Sequence, residues 1–430
     1  MPDAQLVFLH DWSISRVGIL NIDQATSTIT LAQPIGATGH NFFRITGFEP
    51  HPRYYLENVA QQLDTPGRWL VNRAKRLVSY MPNENERMAD IDVVVPVLEQ
   101  LLIVRGDMAA RRTVKNVRFE GLIFAHATTP QLPGGYAGIQ AGFHESRSPD
   151  GQPSGQGRMS AAVVFEAAEG CRLENCRVIH VGGTGVSLQG GSNNCELVGN
   201  EITDVGGNGV MVGDTSTSTV LLARHNLVAN NHIHRCGVIY HGCVGVWAGI
   251  TEPTAIRHNE IHDLPYTGVS VGWTWNTNPT PCRGNLVEYN HIHHVMQTLS
   301  DGGGIYTLGR QPDTALRGNV IDDVPLNAGR AESNGMFLDE GSSEILIEGN
   351  TIYHIRRSPI RFHKATGNTV RSNVLVSESN TPTFRYNATD ETTMAFEANT
   401  TPDIADWTPP ALADTGAGLE PRYQQQLLGE

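Results

Sequence analysis

The chain has 430 residues, 45 of them glycine, with only 17% charged side chains and a formal net charge of -13. That length can bury a sizeable core, and the composition fits a large all-β protein with many turns better than a helical or disordered one. The acidic balance argues against nucleic acid and anionic membrane surfaces as partners, and it weakens any case for a polyuronate ligand.

In chain order, the start Met1-Pro2-Asp3-Ala4-Gln5 has neither the basic region nor the apolar core of a secretion signal. No stretch is apolar for long enough to span a bilayer. Residues 1–112 lack an internal repeat. They show strand-like alternation at Leu6-Val7-Phe8-Leu9 and Gly18-Ile19-Leu20-Asn21-Ile22, a short helix signal near Tyr55-Leu56-Glu57-Asn58-Val59, and a further apolar run at Asp92-Val93-Val94-Val95. This predicts a β-rich N-terminal region.

From Val114 onward the pattern changes. An Asn-x-Ile-(His/Asp) register returns every 28 to 31 residues, at Asn200, Asn231, Asn259, Asn290, Asn319 and Asn350. Such a period, with short β-branched runs between asparagine corners, predicts the stacked coils of a parallel β-helix over residues 113–376. Asparagine suits the corners because it tolerates left-handed backbone and its amide can bond to the coil above. A Gly-, Ser- and Pro-rich stretch at 130–157 reads as a long loop inserted into the coils. The polar, Pro-rich residues 377–430 read as a cap or tail.

Cys171 and Cys195 hold the same place in successive coils, so the six cysteines read as buried apolar residues rather than as disulfides or ligands. The histidine-rich corners, above all His291-Ile292-His293-His294, raise the question of a metal. His234, His262 and His293 recur at one corner, however, and read as stacked histidines; neither a metal nor a cofactor is expected.

Aligning the coils on the glycine before one strand puts Trp247, Ser270, Tyr306, Phe337 and Arg361 in one outward row. Gly249, Gly272, Leu308, Asp339 and His363 form the next. With Trp273 and Trp275 in the following loop, the aromatics are expected to be exposed and to stack on sugar rings. Asp301, ahead of three glycines, and Asp339 one coil later are the candidate catalytic carboxylates, since glycosidic hydrolysis needs one acid and one base or nucleophile. Glu340 and Glu332 are reserves. Spacing alone leaves open whether Asp301 and Asp339 instead only cap turns.

The run Ser300-Asp301-Gly302-Gly303-Gly304-Ile305-Tyr306-Thr307-Leu308-Gly309, then Phe337-Leu338-Asp339-Glu340-Gly341, then Phe362-His363, resembles glycoside hydrolase family 141 and its right-handed parallel β-helix relatives. His10-Asp11-Trp12-Ser13-Ile14-Ser15-Arg16 and Phe119-Glu120-Gly121-Leu122 are of the same type. The resemblance implies an enzyme of plant-wall polysaccharide breakdown, α-L-fucosidase-like or xylanase-like. It puts the catalytic pair on Asp301 and Asp339 and the protein outside the cytoplasm, extracellular or periplasmic. The segment after His363 departs from it with Lys364-Ala365, and the chain starts inside the relatives' pattern. If the first coil end were uncovered, its strand edges would favour an oligomer. Two alternatives stay open: a polysaccharide lyase using Arg361 with Lys364, and a non-catalytic sugar-binding protein using the aromatic row.

Overall fold

The computed structural model describes residues 3–129, 132, 134–148, 150–378 and 380–429. Met1 and Pro2 of the opening run lie outside these, as do Pro130, Gln131, Pro133 and Pro149 of the expected insertion, and Ser379 and Glu430 of the expected cap. The chain divides into two compact units, Met1–Pro96 with Pro130–Met159, and Val97–Thr129 with Ser160–Glu430.

The first unit is built on an antiparallel sheet. Its strands run in the order Pro153–Arg158, Phe143–Arg147, Tyr136–Gln140, Ile14–Asp23, Gln5–Leu9 and Arg53–Glu57, with Thr28–Leu31 paired to Ile14–Asp23. Alternation along the strands turns Leu6, Phe8, Val17 and Ile19 into one apolar cluster with Ile35 and Val59. Two expectations are corrected here. The 130–157 stretch is not a loop: it supplies three strands, and Tyr136 and Ala137 pair with Arg16 and Ser15, satisfying a strand edge left open by residues 1–96. The helix signal near Tyr55 is a strand, because pairing with Gln5–Leu9 overrides a weak local preference. Asp92-Val93-Val94-Val95 forms no strand.

The second unit is a parallel β-helix with three long sheets, two of ten strands and one of nine. Its core is made of stacked identical residues. Ile202, Ile233, Ile261, Ile292, Ile321 and Ile352 align in register, and each is fully buried. The coils begin earlier than Val114, with Leu102–Arg105 already paired in one ten-stranded sheet. They also continue past Val376: Phe384–Asn387 and Ala395–Glu397 extend the two ten-stranded sheets.

The asparagine column is present as a ladder. Each side-chain amide donates to the next carbonyl oxygen, from Asn200 through Asn231, Asn259, Asn290, Asn319, Asn350 and Asn373 to Asn399, at 2.8 to 3.0 Å. The left-handed conformation, however, belongs to the residue before each rung: Gly199, Asn230, His258, Tyr289, Gly318, Gly349, Ser372 and Ala398. The two tasks assigned to asparagine are thus split between neighbours. All six cysteines are free and buried.

Candidate active site

The site lies on the sheet containing Val246–Ala248, Val269–Val271, Gly302–Thr307, Ser333–Leu338 and Ile360–His363. Its register joins Trp247 to Ser270, Ser270 to Tyr306, Tyr306 to Phe337 and Phe337 to Arg361. The outward row is therefore as the alternation of side chains predicts. Its exposure is not. Trp247 and Phe337 have no accessible surface, Tyr306 and Trp273 are buried, and only Trp275 reaches solvent, at 36%.

Phe337 is covered by Tyr306 and Arg361, and Trp247 by the loop that follows Val271. Trp273 packs edge-on against Trp247 with centroids 5.6 Å apart, and Trp275 packs on Trp273 at 5.1 Å. The same loop lies over the ends of the next two strands, where a Cβ on Gly309 would strike Thr274 and one on Gly341 would strike Asn276. Both glycines also have positive φ, so residue type and close approach agree there. The non-catalytic alternative thereby loses the aromatic surface on which it rested.

Asp301 sits at the entry to its strand in left-handed conformation, φ 58°. Its backbone is fixed by the Tyr266 hydroxyl, which donates to the Asp301 carbonyl at 2.9 Å, and its own amide donates to the Glu332 carbonyl at 3.0 Å. Arg361 Nη1 donates to its carboxylate at 2.9 Å. The guanidinium also lies 4.1 Å from the centroid of the Phe337 ring, while its Nε donates to Asn387 at 3.0 Å.

Asp339 is 8% exposed. One of its oxygens accepts from the Tyr306 hydroxyl at 2.5 Å and the other meets His363 Nδ1 at 2.7 Å. Tyr306 packs on Phe337, with centroids 5.3 Å apart. One patch of side chains thus runs from Asp301 through Arg361, Phe337 and Tyr306 to Asp339 and His363.

The reserve carboxylates each have a cationic partner of their own. Glu340 pairs with Lys364 at 2.8 Å and Glu332 with Arg385 at 3.5 Å. The cations that a lyase would use, Arg361 and Lys364, are each held by a carboxylate. Sequence reading missed Tyr266 and Asn387. A usable signal existed for the second: Phe384-Arg385-Tyr386-Asn387 repeats the pattern of Ile360-Arg361-Phe362-His363, and the two strands pair in that register.

On the nine-stranded sheet the histidines stack as expected, His234 on His262 at 4.9 Å and His262 on His293 at 4.7 Å. Two trios there have ligand atoms close enough for a metal, His232 with His234 and His262, and Glu260 with His291 and His293. The second is a charge network. Burial would push the Glu260 carboxyl up, but hydrogen bonds from His291 and His293 outweigh it and hold it below its usual range. Burial likewise opposes a charged His291, yet its bonds to Asp322 and Glu260 raise it.

A family profile described as "Right handed beta helix region" matches residues 161–330. A solved structure named "Glycoside hydrolase" is 25% identical, with a TM-score of 0.76 over 98% of this chain and 71% of that one. A lacto-N-biosidase from Eubacterium ramulus is 14% identical, with a TM-score of 0.42 over 71% of this chain and 60% of that one. A Dettilon tailspike protein, also 14% identical, has a TM-score of 0.40 over 64% and 50%. These two likenesses are too weak to carry any argument. No curated protein matches the chain. The coils are those of a right-handed parallel β-helix.

Proposed function

We propose that this protein is a glycoside hydrolase that cleaves a neutral or fucosylated plant-wall polysaccharide, with Asp301 and Asp339 as its catalytic pair. The likeness to the solved glycoside hydrolase over nearly the whole chain supports the reaction class. One observation carries the assignment of roles: the two carboxylates lie on one patch but have partners of opposite kind. Arginine only donates, so the bonded oxygen of Asp301 must accept, which suits a nucleophile or a base for water. The ring nitrogen of His363 can either donate or accept, so the Asp339–His363 pair can hold a proton between them and deliver it to a leaving oxygen.

In this reading Asp339 protonates the glycosidic oxygen as the bond breaks, and Asp301 stabilises or attacks the developing positive charge on the sugar ring. Tyr306 fixes the angle of Asp339, and Trp275 offers the one exposed ring to a sugar. The acidic net charge agrees with a neutral substrate, and a plant-wall substrate would be met outside the cytoplasm.

The test is dependence on the leaving group. Asp339→Asn should lose roughly 10²–10⁴-fold on an oligosaccharide. It should stay near wild type on a dinitrophenyl glycoside, whose leaving group needs no proton. Asp301→Asn should be crippled on both. The opposite pattern would exchange the roles, and unchanged rates in both variants would remove the pair from the mechanism.

A further inference from the structure

The strands His232–Cys236 and Glu260–His262 bring three imidazoles together on the nine-stranded sheet, away from the sheet that carries Asp301 and Asp339. His234 pairs in register with His262, and His232 precedes His234 by two residues on the same face. Their ligand atoms all lie within 4.8 Å of one another.

The hydrogen bonds around the trio fix which nitrogens are available. His262 Nδ1 meets the Asp263 carboxylate at 3.0 Å, and an ionised carboxylate only accepts, so Nδ1 carries the proton and Nε2 is left bare. His234 Nδ1 meets the Thr203 hydroxyl at 3.3 Å, while its buried Nε2 makes no hydrogen bond and lies 3.8 Å from the Glu201 carboxylate. His232, only 9% exposed, turns its Nε2 onto His262 Nε2 at 2.8 Å, and its Nδ1 is likewise buried and unpartnered. Two nitrogens at that distance need a proton between them or a cation beside them. In the neighbouring trio Glu260 bonds His291 and His293 directly at 2.7 and 2.9 Å, whereas Glu201 approaches His234 Nε2 only to 3.8 Å.

We infer that His232, His234 and His262 form a binding site for a divalent transition metal of the zinc class, with a fourth position left for water. Zinc–nitrogen bonds of 2.0–2.1 Å put tetrahedral ligands roughly 3.3 Å apart, so each nitrogen moves by about an ångström. Rotation about the broad Cβ–Cγ torsion of histidine supplies that movement. Asp263 and Thr203 are the outer partners that orient ligating imidazoles in such sites. This departs from the sequence expectation, in which the stacked histidines were structural and no metal was foreseen.

The experiment is a titration of the metal-free full chain with Zn²⁺, read by calorimetry and melting temperature, and with Co²⁺, read by its visible absorption. One equivalent of Zn²⁺ should bind at micromolar concentration or tighter and raise the melting temperature, and Co²⁺ should give a nitrogen-ligated spectrum. His234→Asn should abolish both. Asp263→Gly removes no ligating nitrogen but only the outer partner of His262, lies at the surface and fits the positive φ of that residue; it should weaken binding by roughly ten- to hundredfold. His293→Asn should bind as wild type. The inference is overturned by the absence of stoichiometric binding. It is equally overturned by binding that survives both His234→Asn and Asp263→Gly, or by loss confined to His293→Asn. Should His234→Asn fail to fold, Asp263→Gly decides alone.

Discussion

Arg361 is the residue on which the candidate site turns, because it holds Asp301, lies on Phe337 and is itself held by Asn387. A lysine there keeps the charge but loses the planar group that stacks and donates at two places at once. Arg361→Lys should therefore lower kcat/KM by about tenfold to a hundredfold, the equivalent of one charge-assisted hydrogen bond, with the melting temperature little changed. Steady-state kinetics beside a melting curve check this, and an unchanged kcat/KM would remove Arg361 from the site. The aromatic neighbours show what a residue's position in a strand can and cannot reveal. Side-chain alternation put Trp247, Tyr306 and Phe337 in the right row, since parity is a property of the strand itself. It could not reveal their burial, because the cover is tertiary: Trp273 from a loop lies on Trp247, and Tyr306 and Arg361 from neighbouring coils lie on Phe337.

At the scale of one element, the asparagine ladder was legible because it repeats, and repetition survives without knowledge of tertiary contacts. Each rung is tied above and below. Asn290 donates to the Ile256 carbonyl and to Asn319, and its oxygen accepts from both the backbone and the side chain of Asn259. Asn290→Ala would leave several of these buried groups unpaired, at 1–3 kcal/mol each, so unfolding free energy should fall by roughly 3 kcal/mol or more. Denaturant titration checks it, and a loss under about 1 kcal/mol would mean that water or neighbouring rungs replace the amide. What the repeat hid was the division of labour at the corner. The left-handed residue before each rung is Gly in three cases but His258, Tyr289, Ser372 or Ala398 in others, so residue type alone does not mark it. The last coil, Phe384–Asn387 and Ala395–Glu397, was missed for a similar reason. It lies in a polar stretch without an Asn-x-Ile register, and its one signal is that Phe384-Arg385-Tyr386-Asn387 repeats the pattern of Ile360-Arg361-Phe362-His363.

For the molecule as a whole, the solenoid was readable, and in the first unit the strands Gln5–Leu9 and Ile14–Asp23 were but their sheet was not. That sheet joins residues 5–57 to residues 136–158 across the start of the coils, and pairing over that separation leaves no local signature. This unit also carries a built-in acid sensitivity. Burial depresses His144 to about 4, below its usual 6.5, with a backbone hydrogen bond at Gly142 opposing only weakly. The folded form thus favours the neutral ring. Its contribution is complete above pH 6.5 and is lost as pH falls towards 4, at about 1.4 kcal/mol per pH unit, or about 3 kcal/mol across the window. Melting curves from pH 7.5 to 4.5 should fall less steeply in His144→Gln than in the wild type, where burial of His232 adds a slope of the same sign; equal slopes in the two would locate the acid sensitivity elsewhere.

Glycosidic hydrolysis by the Asp301–Asp339 pair can be read from mass spectrometry of products formed in ¹⁸O-labelled water from fucosylated pectin fragments and xylan. The wild type should release saturated sugars carrying one labelled oxygen, and Asp339→Asn should release them roughly 10²–10⁴-fold more slowly. Unsaturated products, or labelled products formed equally fast by the folded variant, would contradict hydrolysis by this pair.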